Sequence, residues 1–393
     1  MKLPLCVQGK YSIAPLVGVA CGLLLAACGG GGGGSGSAAP VSGFSDTALV
    51  SNSVGVVAVS TIIDSNLQNP WGIAFAPGQP FWIADNNNNL STLYSGTGEI
   101  KTNAVTGSTD VGIAIPASAA GVPSNPTGQV YNGGGGFMIA TGMGQESALF
   151  IFDGEGGVLS GWAADSGASA VTAYDDGVLN GANHAVYKGL AIATLNGAAY
   201  LYATDLHNNK VDVFDTNFSK PAAMQGKFQD PTMPAGFVPF GITVVQDQLY
   251  VTYAMQDAAM HDEVTGAGLG YVDVFDFSGN FVSRFASAGA LNAPWGIAVV
   301  PSGFGTLGGN LLIGNFGDGH INIFSSTGTS MGALSVSNGG TVSIPGLWSL
   351  VFGNGDADKP LNTLFYTAGF ADQTDGVFGT IAPTTMPSGS SPY

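Results

Sequence analysis

A short phrase recurs six times along the chain, and this repetition restricts the possible folds more than any other feature. Five copies have a glycine at their centre, and these glycines follow one another at intervals of 52–61 residues. Self-similarity at such a period is the signature of a repeat architecture. The copies are NPWGIAF (69–75), NPTGQVY (125–131), VYKGLAI (186–192), VPFGITV (238–244), APWGIAV (293–299) and the degenerate PGLWSLVF (345–352).

Two further runs follow each phrase. The first is almost continuously apolar, as in FWIAD (81–85) and YLYATD (200–205), and the second leads into a Gly-, Asn- and Asp-rich turn, as in VDVFDFSGN (272–280). Six repeats of about 50–60 residues, each with short strands between such turns, are typical of propeller blades. The sequence therefore predicts an all-β fold, a six-bladed β-propeller of four-stranded antiparallel blades.

The sixth unit lacks a fourth strand of its own. Strands are predicted near 347–352, 362–367 and 376–381, after which the chain runs into a Pro- and Ser-rich tail. Two apolar segments, 46–52 and 54–60, precede the first blade and have no blade of their own. Because an open sheet edge invites aggregation, we expect one of these N-terminal segments to close the ring as the outer strand of blade six.

Charge excludes several classes of partner. The 393-residue chain carries 26 Asp and Glu against 9 Lys and Arg, whereas binding to nucleic acid requires clustered basic residues. Electrostatic adhesion to an anionic membrane is excluded for the same reason. The 39 aromatic residues (22 Phe, 12 Tyr and 5 Trp) are enough for a large core. We expect the protein to be a monomer.

The first 27 residues resemble the signal peptide of a bacterial lipoprotein. Two lysines precede an apolar run that ends in Leu25-Ala26-Ala27-Cys28, which is similar to a lipobox. The resemblance implies that Cys28 is lipidated, and Gly29 after it implies the outer membrane; the alternative is a plain signal peptide with an incidental cysteine. The predicted organisation is 1–27 signal peptide, 28–43 tether, 44–383 propeller and 384–393 tail.

Several stretches resemble known propeller families. NPWGIAF, FWIADNNNN and VDVFD are similar to NHL-type repeats. The stretches 253–281, 291–324 and 347–381 resemble more closely an uncharacterised family of exported bacterial six-bladed propellers. The resemblance implies a fold and an export route, but it carries no catalytic residue.

Polar side chains concentrate in the loops expected over one end of the channel, and all four histidines fall there. Such residues commonly cap turns, but carboxylate and amide oxygens could also hold Ca²⁺, and the histidines could form a transition-metal or catalytic site. Propeller lactonases hold a channel Ca²⁺ with a Glu early in blade one, where this chain has no acid. The candidate residues are Asp85, Asn86, His184, Asp205, His207, Asp257, His261, Asp262, Asn315, Asp318 and His320.

One of these loops, residues 255–270, is about twice as long as its counterparts. The spacing of Asp257 and His261 predicts a single helical turn over 257–263 with Asp257 as N-cap. This loop is either a lid, half of a metal site, or a solvated excursion. Three tryptophans occupy related repeat positions beside the expected channel entrance: Trp71, Trp295 and Trp348. They could stack on a sugar or another apolar ligand, or they could pack between blades.

These observations favour a non-catalytic function. We expect a cell-envelope lipoprotein, facing the periplasm or the cell surface, that binds a protein or glycan partner through the loop-rich channel face. The alternative is a Ca²⁺-dependent hydrolase or lactonase acting at the channel mouth, so enzymatic activity stays an open question at the level of sequence.

Overall fold

The computed structural model describes residues 41–56, 62–102 and 112–385. The predicted signal peptide, Cys28, the tether up to residue 40 and the tail from residue 386 lie outside the described residues. Within the described part, no helix has the length and apolarity required to cross a membrane.

The described residues form short strands joined by turns, with little helix. The helical segments are α1 (Asp176–Asn180), α2 (Phe370–Gln373) and four 3₁₀ turns at Asn86–Asn88, Ala164–Ser166, Gly181–Asn183 and Ala222–Met224. The strands are β1 (Val41–Ser51), β2 (Ile62–Ile63), β3 (Pro70–Ala74), β4 (Phe81–Asp85), β5 (Leu90–Tyr94), β6 (Ile113–Ala114), β7 (Pro126–Tyr131), β8 (Met138–Thr141), β9 (Gly144–Ser147), β10 (Phe150–Gly154), β11 (Val158–Trp162), β12 (Val171–Asp175), β13 (Tyr187–Leu195), β14 (Ala198–Asp205), β15 (Lys210–Phe214), β16 (Phe237–Val245), β17 (Gln248–Gln256), β18 (Glu263–Val264), β19 (Tyr271–Phe275), β20 (Phe281–Ser287), β21 (Pro294–Val299), β22 (Leu311–Asn315), β23 (Ile321–Phe324), β24 (Ser330–Ala333), β25 (Leu347–Phe352), β26 (Leu364–Ala368) and β27 (Val377–Thr385).

These strands form six small sheets arranged as a six-bladed β-propeller, which confirms the predicted fold class. In chain order the blades are β3-β4-β5-β6, β7-β10-β11-β12, β13-β14-β15, β16-β17-β19-β20, β21-β22-β23-β24 and β25-β26-β27-β1-β2. Strands within a blade pair antiparallel, except that β2 pairs parallel with β1. The hairpin β8-β9 is inserted between the first two strands of blade two.

The repeated glycine has a steric cause at the channel axis. A Cβ on Gly241 would lie 2.4 Å from the carbonyl oxygen of Trp295, and a Cβ on Gly296 would lie 2.5 Å from that of Trp348. Both carbonyls belong to the first strand of the next blade. The glycines therefore let neighbouring inner strands approach each other more closely than any side chain would allow.

Blade three differs from the prediction because it has three strands in the described chain. The outer edge of β15 is covered by the segment that follows it. There the side-chain amide of Gln225 donates to the carbonyl oxygen of Val213 at 2.8 Å. One side chain thus satisfies a group that a fourth strand would otherwise pair.

The predicted ring closure is confirmed. Strand β1 pairs antiparallel with β27 along its whole length, from Val41 opposite Thr385 to Ser51 opposite Val377. The closing strand is thus the earlier of the two predicted segments, extended at its start, while residues 57–60 of the later one lie outside the described residues. Val50 is fully buried, and Asp46 accepts a hydrogen bond from the Tyr366 hydroxyl at 2.8 Å.

The predicted helical turn over 257–263 is wrong. The segment is an irregular turn in which the Asp257 carboxylate accepts hydrogen bonds from the backbone N–H groups of His261 (2.9 Å) and Asp262 (3.2 Å). Met260 has a φ of +58°, which a right-handed helix does not permit. Asp257 therefore caps backbone donors as expected, but it closes a loop and not a helix.

Candidate functional site

One end of the channel is sealed by the residues that precede the central glycine position of each blade. We call these six residues the plug: Trp71, Thr127, Lys188, Phe240, Trp295 and Trp348. The Trp71 and Trp348 rings stack with centroids 3.4 Å apart, and the Trp295 ring meets both edge-on. The three tryptophans considered for ligand stacking therefore pack against each other in the core of the plug.

Lys188 is the exception in the plug, because its counterparts are mostly aromatic. Its side chain is 1% exposed, and its Nζ lies 5.3 Å from the centroid of the Trp71 ring. Blade three presents its ammonium group directly above the aromatic rings, where a cation–π contact is favourable. A buried ammonium requires anionic partners, and these come from two other blades.

Two carboxylates contact the Lys188 ammonium. Glu155, in the turn between β10 and β11 of blade two, forms a short ion pair with Nζ. Asp262, in the long loop of blade four, contacts the same nitrogen at 3.1 Å. Lys188 therefore links blades two, three and four at the channel mouth.

Asn86 connects blade one to the same group. Its amide nitrogen donates to the carboxylate of Glu155 at 3.1 Å and to the carbonyl oxygen of Asn125 at the same distance. Of the sequence candidates, Asn86, His261 and Asp262 meet at this site. Together with Glu155, Lys188 and Glu263 they form what we call the mouth cluster.

Electrostatic interactions separate the proton affinities of the neighbouring acids. The hydrogen bond from His261 (2.9 Å) and the Lys188 charge lower the pKa of Asp262, and the same hydrogen bond raises the pKa of His261. Burial raises the pKa of Glu263 to about 7, and its Oε2 is buried without a hydrogen-bond partner. Adjacent carboxyl groups thus differ in protonation near neutral pH.

The pKa of Lys188 reflects two opposing effects. Burial alone would lower it, but the nearby carboxylates of Glu155, Glu263 and Asp262 outweigh burial and raise it. Lys188 is therefore charged at neutral pH, and the cluster has a cation at its centre.

The mouth cluster contains a group of residues that could hold a metal ion. Ligand atoms of Glu155, His261 and Asp262 lie within 4.8 Å of one another. However, the Lys188 ammonium already contacts two of these three side chains, close to where a divalent cation would bind. The Lys188 ammonium and a Ca²⁺ ion bound to the same carboxylates would repel each other, so the arrangement disfavours the predicted Ca²⁺ site.

Four of the remaining candidates hydrogen-bond within their own turns. The Asp205 carboxylate accepts from the backbone and side chain of Asn208, and Asp318 accepts from the N–H of His320 at 3.0 Å and from the amide of Asn315 at 3.1 Å. These contacts are the turn-capping interactions that are common for Asp and Asn in loops.

Two of the other four candidates, Asp85 and His184, lie apart from the mouth cluster as well. Asp85 is fully buried and accepts from the N–H of Thr92 at 3.0 Å, and His184 contacts the carbonyl oxygen of Gly181. In the part of the chain that the structure describes, no hydrogen bond joins either residue to the mouth cluster.

Three loops beside the mouth cluster contact one another and form a continuous surface, which we call the loop ridge (residues 178–184, 206–209 and 257–264). The His207 ring contacts the carbonyl oxygen of Met260 at 3.0 Å, and Asn208 donates to the carbonyl oxygen of Asn183 at 3.4 Å. Four large apolar side chains are exposed on it: Val178, Leu179, Met260 and Val264.

Sequence reasoning missed Glu155 and Lys188, and it did not include Glu263 among the candidates although this residue lies in the long loop. A signal for Lys188 was present, because it is a lysine at a repeat position that holds Trp or Phe in four other blades, in a chain with nine basic residues. Glu155 gave no such signal, because its proximity to Lys188 depends on how the blades close around the axis.

Comparison with known proteins agrees with this architecture. No family model matches the chain. The soluble aldose sugar dehydrogenase of Escherichia coli, in its apo form, aligns with a TM-score of 0.50 and 12% identity over 87% of this chain and 100% of that chain. At this identity the likeness shows the fold alone: the chain is a six-bladed β-propeller, and its channel is sealed at one end.

Two relatives identify its family. The uncharacterized protein R648 of Acanthamoeba polyphaga mimivirus is 34% identical over 337 residues, or 85% of this chain and 78% of that protein. The uncharacterized protein L690 of the same virus is 32% identical over 81% of each chain. The chain belongs to the same family as these two proteins. Because both are viral, the bacterial family expected from the sequence stays a prediction.

Proposed function

We propose that this propeller is a binding module that holds a protein partner on the loop ridge. The observation that carries the proposal is the exposure of Val178, Leu179, Met260 and Val264 on loops that contact one another. Several large apolar side chains exposed on adjoining loops with polar neighbours are typical of protein interaction sites.

Charge indicates what kind of partner fits. The three segments of the loop ridge contain Asp257, Asp262 and Glu263 but no Lys or Arg. A partner with an apolar centre and basic residues at its rim would match this surface in both respects. The mouth cluster supports the same role, because Lys188 and Asp262 fix the long loop against blades two and three.

Capture of partners by purified protein tests the proposal. Met260→Asp places a charge at the centre of the loop ridge, whereas Met331→Asp places a charge on the outer strand of blade five. The two methionines are 46% and 54% exposed, so the variants are matched. We expect the first variant to lose the partner that wild type captures from an envelope extract, and the second to retain it. Equal capture by both variants would contradict the assignment of this surface.

We also propose that the propeller is held in the bacterial outer membrane through lipid on Cys28. The support is the Leu25-Ala26-Ala27-Cys28 sequence followed by Gly29 and a glycine-rich tether. Metabolic labelling with an azido-palmitate should tag wild type but not Cys28→Ala. Label on the variant would contradict lipidation at this cysteine.

The second candidate is a hydrolase or lactonase at the channel mouth. One observation favours it: the pKa of Glu263 is raised to about 7, which suits a general base near neutral pH. Its Ca²⁺ dependence has less support, because Lys188 lies beside the group of ligands. Calorimetric titration with Ca²⁺ separates the two functions, since tight binding that Asp262→Asn abolishes would favour the hydrolase.

A further inference from the structure

The channel has a second ring of equivalent side chains at the end opposite the plug. Four residues after each plug residue, every blade carries an apolar or aromatic side chain, and none of the six is fully buried. Five of the six are half-buried and Val299 is exposed, so an apolar surface recurs at the same position of every blade. We call these residues the lower ring: Phe75, Tyr131, Ile192, Val244, Val299 and Phe352.

Between the plug and the lower ring the channel encloses a cavity of about 360 Å³. A second cavity of about 300 Å³ shares Ile73, Val244 and Val351 with it, so the two are continuous. No charged side chain lines either cavity. From Trp295 to Val299 the lining strand rises about 13 Å, so the space, which we call the tube, is about this long and is closed at one end by the plug.

Three polar groups beside the tube have partners within the protein. The N–H groups of Gly128 and Gly241 donate at 2.7 Å to Asp153 and Thr252, which lie on the second strands of their blades. The Gln129 amide donates to the carbonyl oxygen of Gly72 at 2.9 Å. An apolar ligand would therefore enter without leaving these groups unpaired, which is the usual cost of a dry site.

We propose that this tube binds the unbranched alkyl chain of a single-chain lipid free in solution, inserted tail first with its polar head at the lower ring. The uncharged, largely apolar lining suits an alkyl chain, and the closed end requires a ligand that enters from the lower ring. The acidic chain disfavours an anionic head, so neutral or zwitterionic lipids should bind best. This site is independent of the loop ridge, which lies beyond the plug.

Quenching of tryptophan fluorescence tests the proposal, because Trp295 lines the closed end of the tube. The full chain carrying Cys28→Ala is titrated with a long-chain alcohol brominated at its far end, and separately with the same alcohol brominated beside the hydroxyl. We expect saturable quenching that is strong for the first alcohol and weak for the second. Equal quenching by both, or none, would overturn tail-first insertion into the tube.

Two matched lysine variants test whether the alcohol binds in the tube. Val299 lies in the lower ring and Val282 on the outer strand of blade four, and they are 43% and 49% exposed, so both should tolerate lysine in a folded chain. Val299→Lys should weaken binding about tenfold by placing a charge at the entrance, whereas Val282→Lys should leave it unchanged. A second apolar cavity of about 650 Å³ lies beside Trp82 and Trp162. Unaltered binding by a folded Val299→Lys protein would mean that the alcohol binds there or elsewhere, and would overturn the proposal.

Discussion

At the scale of single residues, the mouth cluster depends on one lysine. Lys188 contacts Glu155 and Asp262 with its ammonium group and lies over the Trp71 ring. Removing one partner of a buried ion pair leaves the other charge without compensation, which costs more than the pair itself contributes. The consequences should therefore appear as a loss of stability and not only as a change at the surface.

Lys188→Met should lower the free energy of unfolding by about 3 kcal/mol, because Glu155 would keep a buried, uncompensated charge. Adding Glu155→Gln should restore part of the loss. Denaturant unfolding measures both effects. The control is Lys101→Met, whose partner Glu99 is exposed, and its cost should be about 0.5 kcal/mol or less. Equal losses for the Lys188 and Lys101 variants would show that the cluster is not held by this ion pair.

Glu263 should make stability depend on pH. Its pKa rises from 4.5 to about 7 on folding, so between these values the folded chain binds more protons than the unfolded chain. Stability is then greatest below about pH 4.5 and falls as the pH rises through about 7. Glu263→Gln removes this titration, and above pH 7 it should be about 2 kcal/mol more stable than wild type.

Melting curves across this pH range measure the difference between wild type and Glu263→Gln. Glu99→Gln is the control, because Glu99 is an exposed acid in a loop of blade one. The two glutamine variants should diverge as the pH is raised. Parallel pH profiles of wild type and Glu263→Gln would show that Glu263 ionises freely in the folded protein.

Single residues also mark the limit of what the sequence could predict about the site. Asn86, His261 and Asp262 were among the candidates because loop position and polarity identify them. Glu155 and Glu263 become charged neighbours of Lys188 only when blades two, three and four close around the axis. No periodicity within one blade encodes that proximity.

At the scale of elements, the period of the repeats was enough to place the inner strands and to predict six blades. The exception is blade three, where Gln225 and the segment around it cover the edge of β15. Strands are predicted from alternating polar and apolar residues, and a single side chain that takes the place of a strand has no such pattern. The sequence therefore could not show that blade three has three strands. The turn over 257–263 was misjudged for a related reason, since i, i+4 spacing also arises in loops closed by one carboxylate.

The close approach of inner strands gives a prediction at this scale. Gly241→Ala should lower the free energy of unfolding by about 2 kcal/mol, because its Cβ would press on the backbone of the next blade and force both strands apart. Gly134→Ala is the matched control, since a Cβ there meets nothing within 4 Å. Denaturant midpoints of the two variants should differ clearly, and a neutral Gly241→Ala would refute the steric account of the repeat.

At the scale of the whole molecule, the fold is a ring closed by one strand. Strand β1 pairs with β27, and Phe44 also bonds to the chain at Ser335 and Ser337 beside blade five. The loop that this contact closes spans nearly the whole chain, but the entropy of closure grows only with the logarithm of loop length. A single well-paired strand can therefore offset it.

Deleting residues 41–51 should open the ring. The deletion exposes the edge of β27, removes the buried Val50 side chain and leaves the Tyr366 hydroxyl without Asp46. We expect a melting temperature lower by about 10 °C or more, since a loss of several kcal/mol shifts a domain of this size by 2–4 °C per kcal/mol. The exposed edge should also promote aggregation. Deleting residues 29–40, which precede the strand, should change neither property. If the protein that lacks residues 41–51 melted like the full chain, the contacts of β1 would not be what closes the ring. Blade six would then have to be stable as three strands.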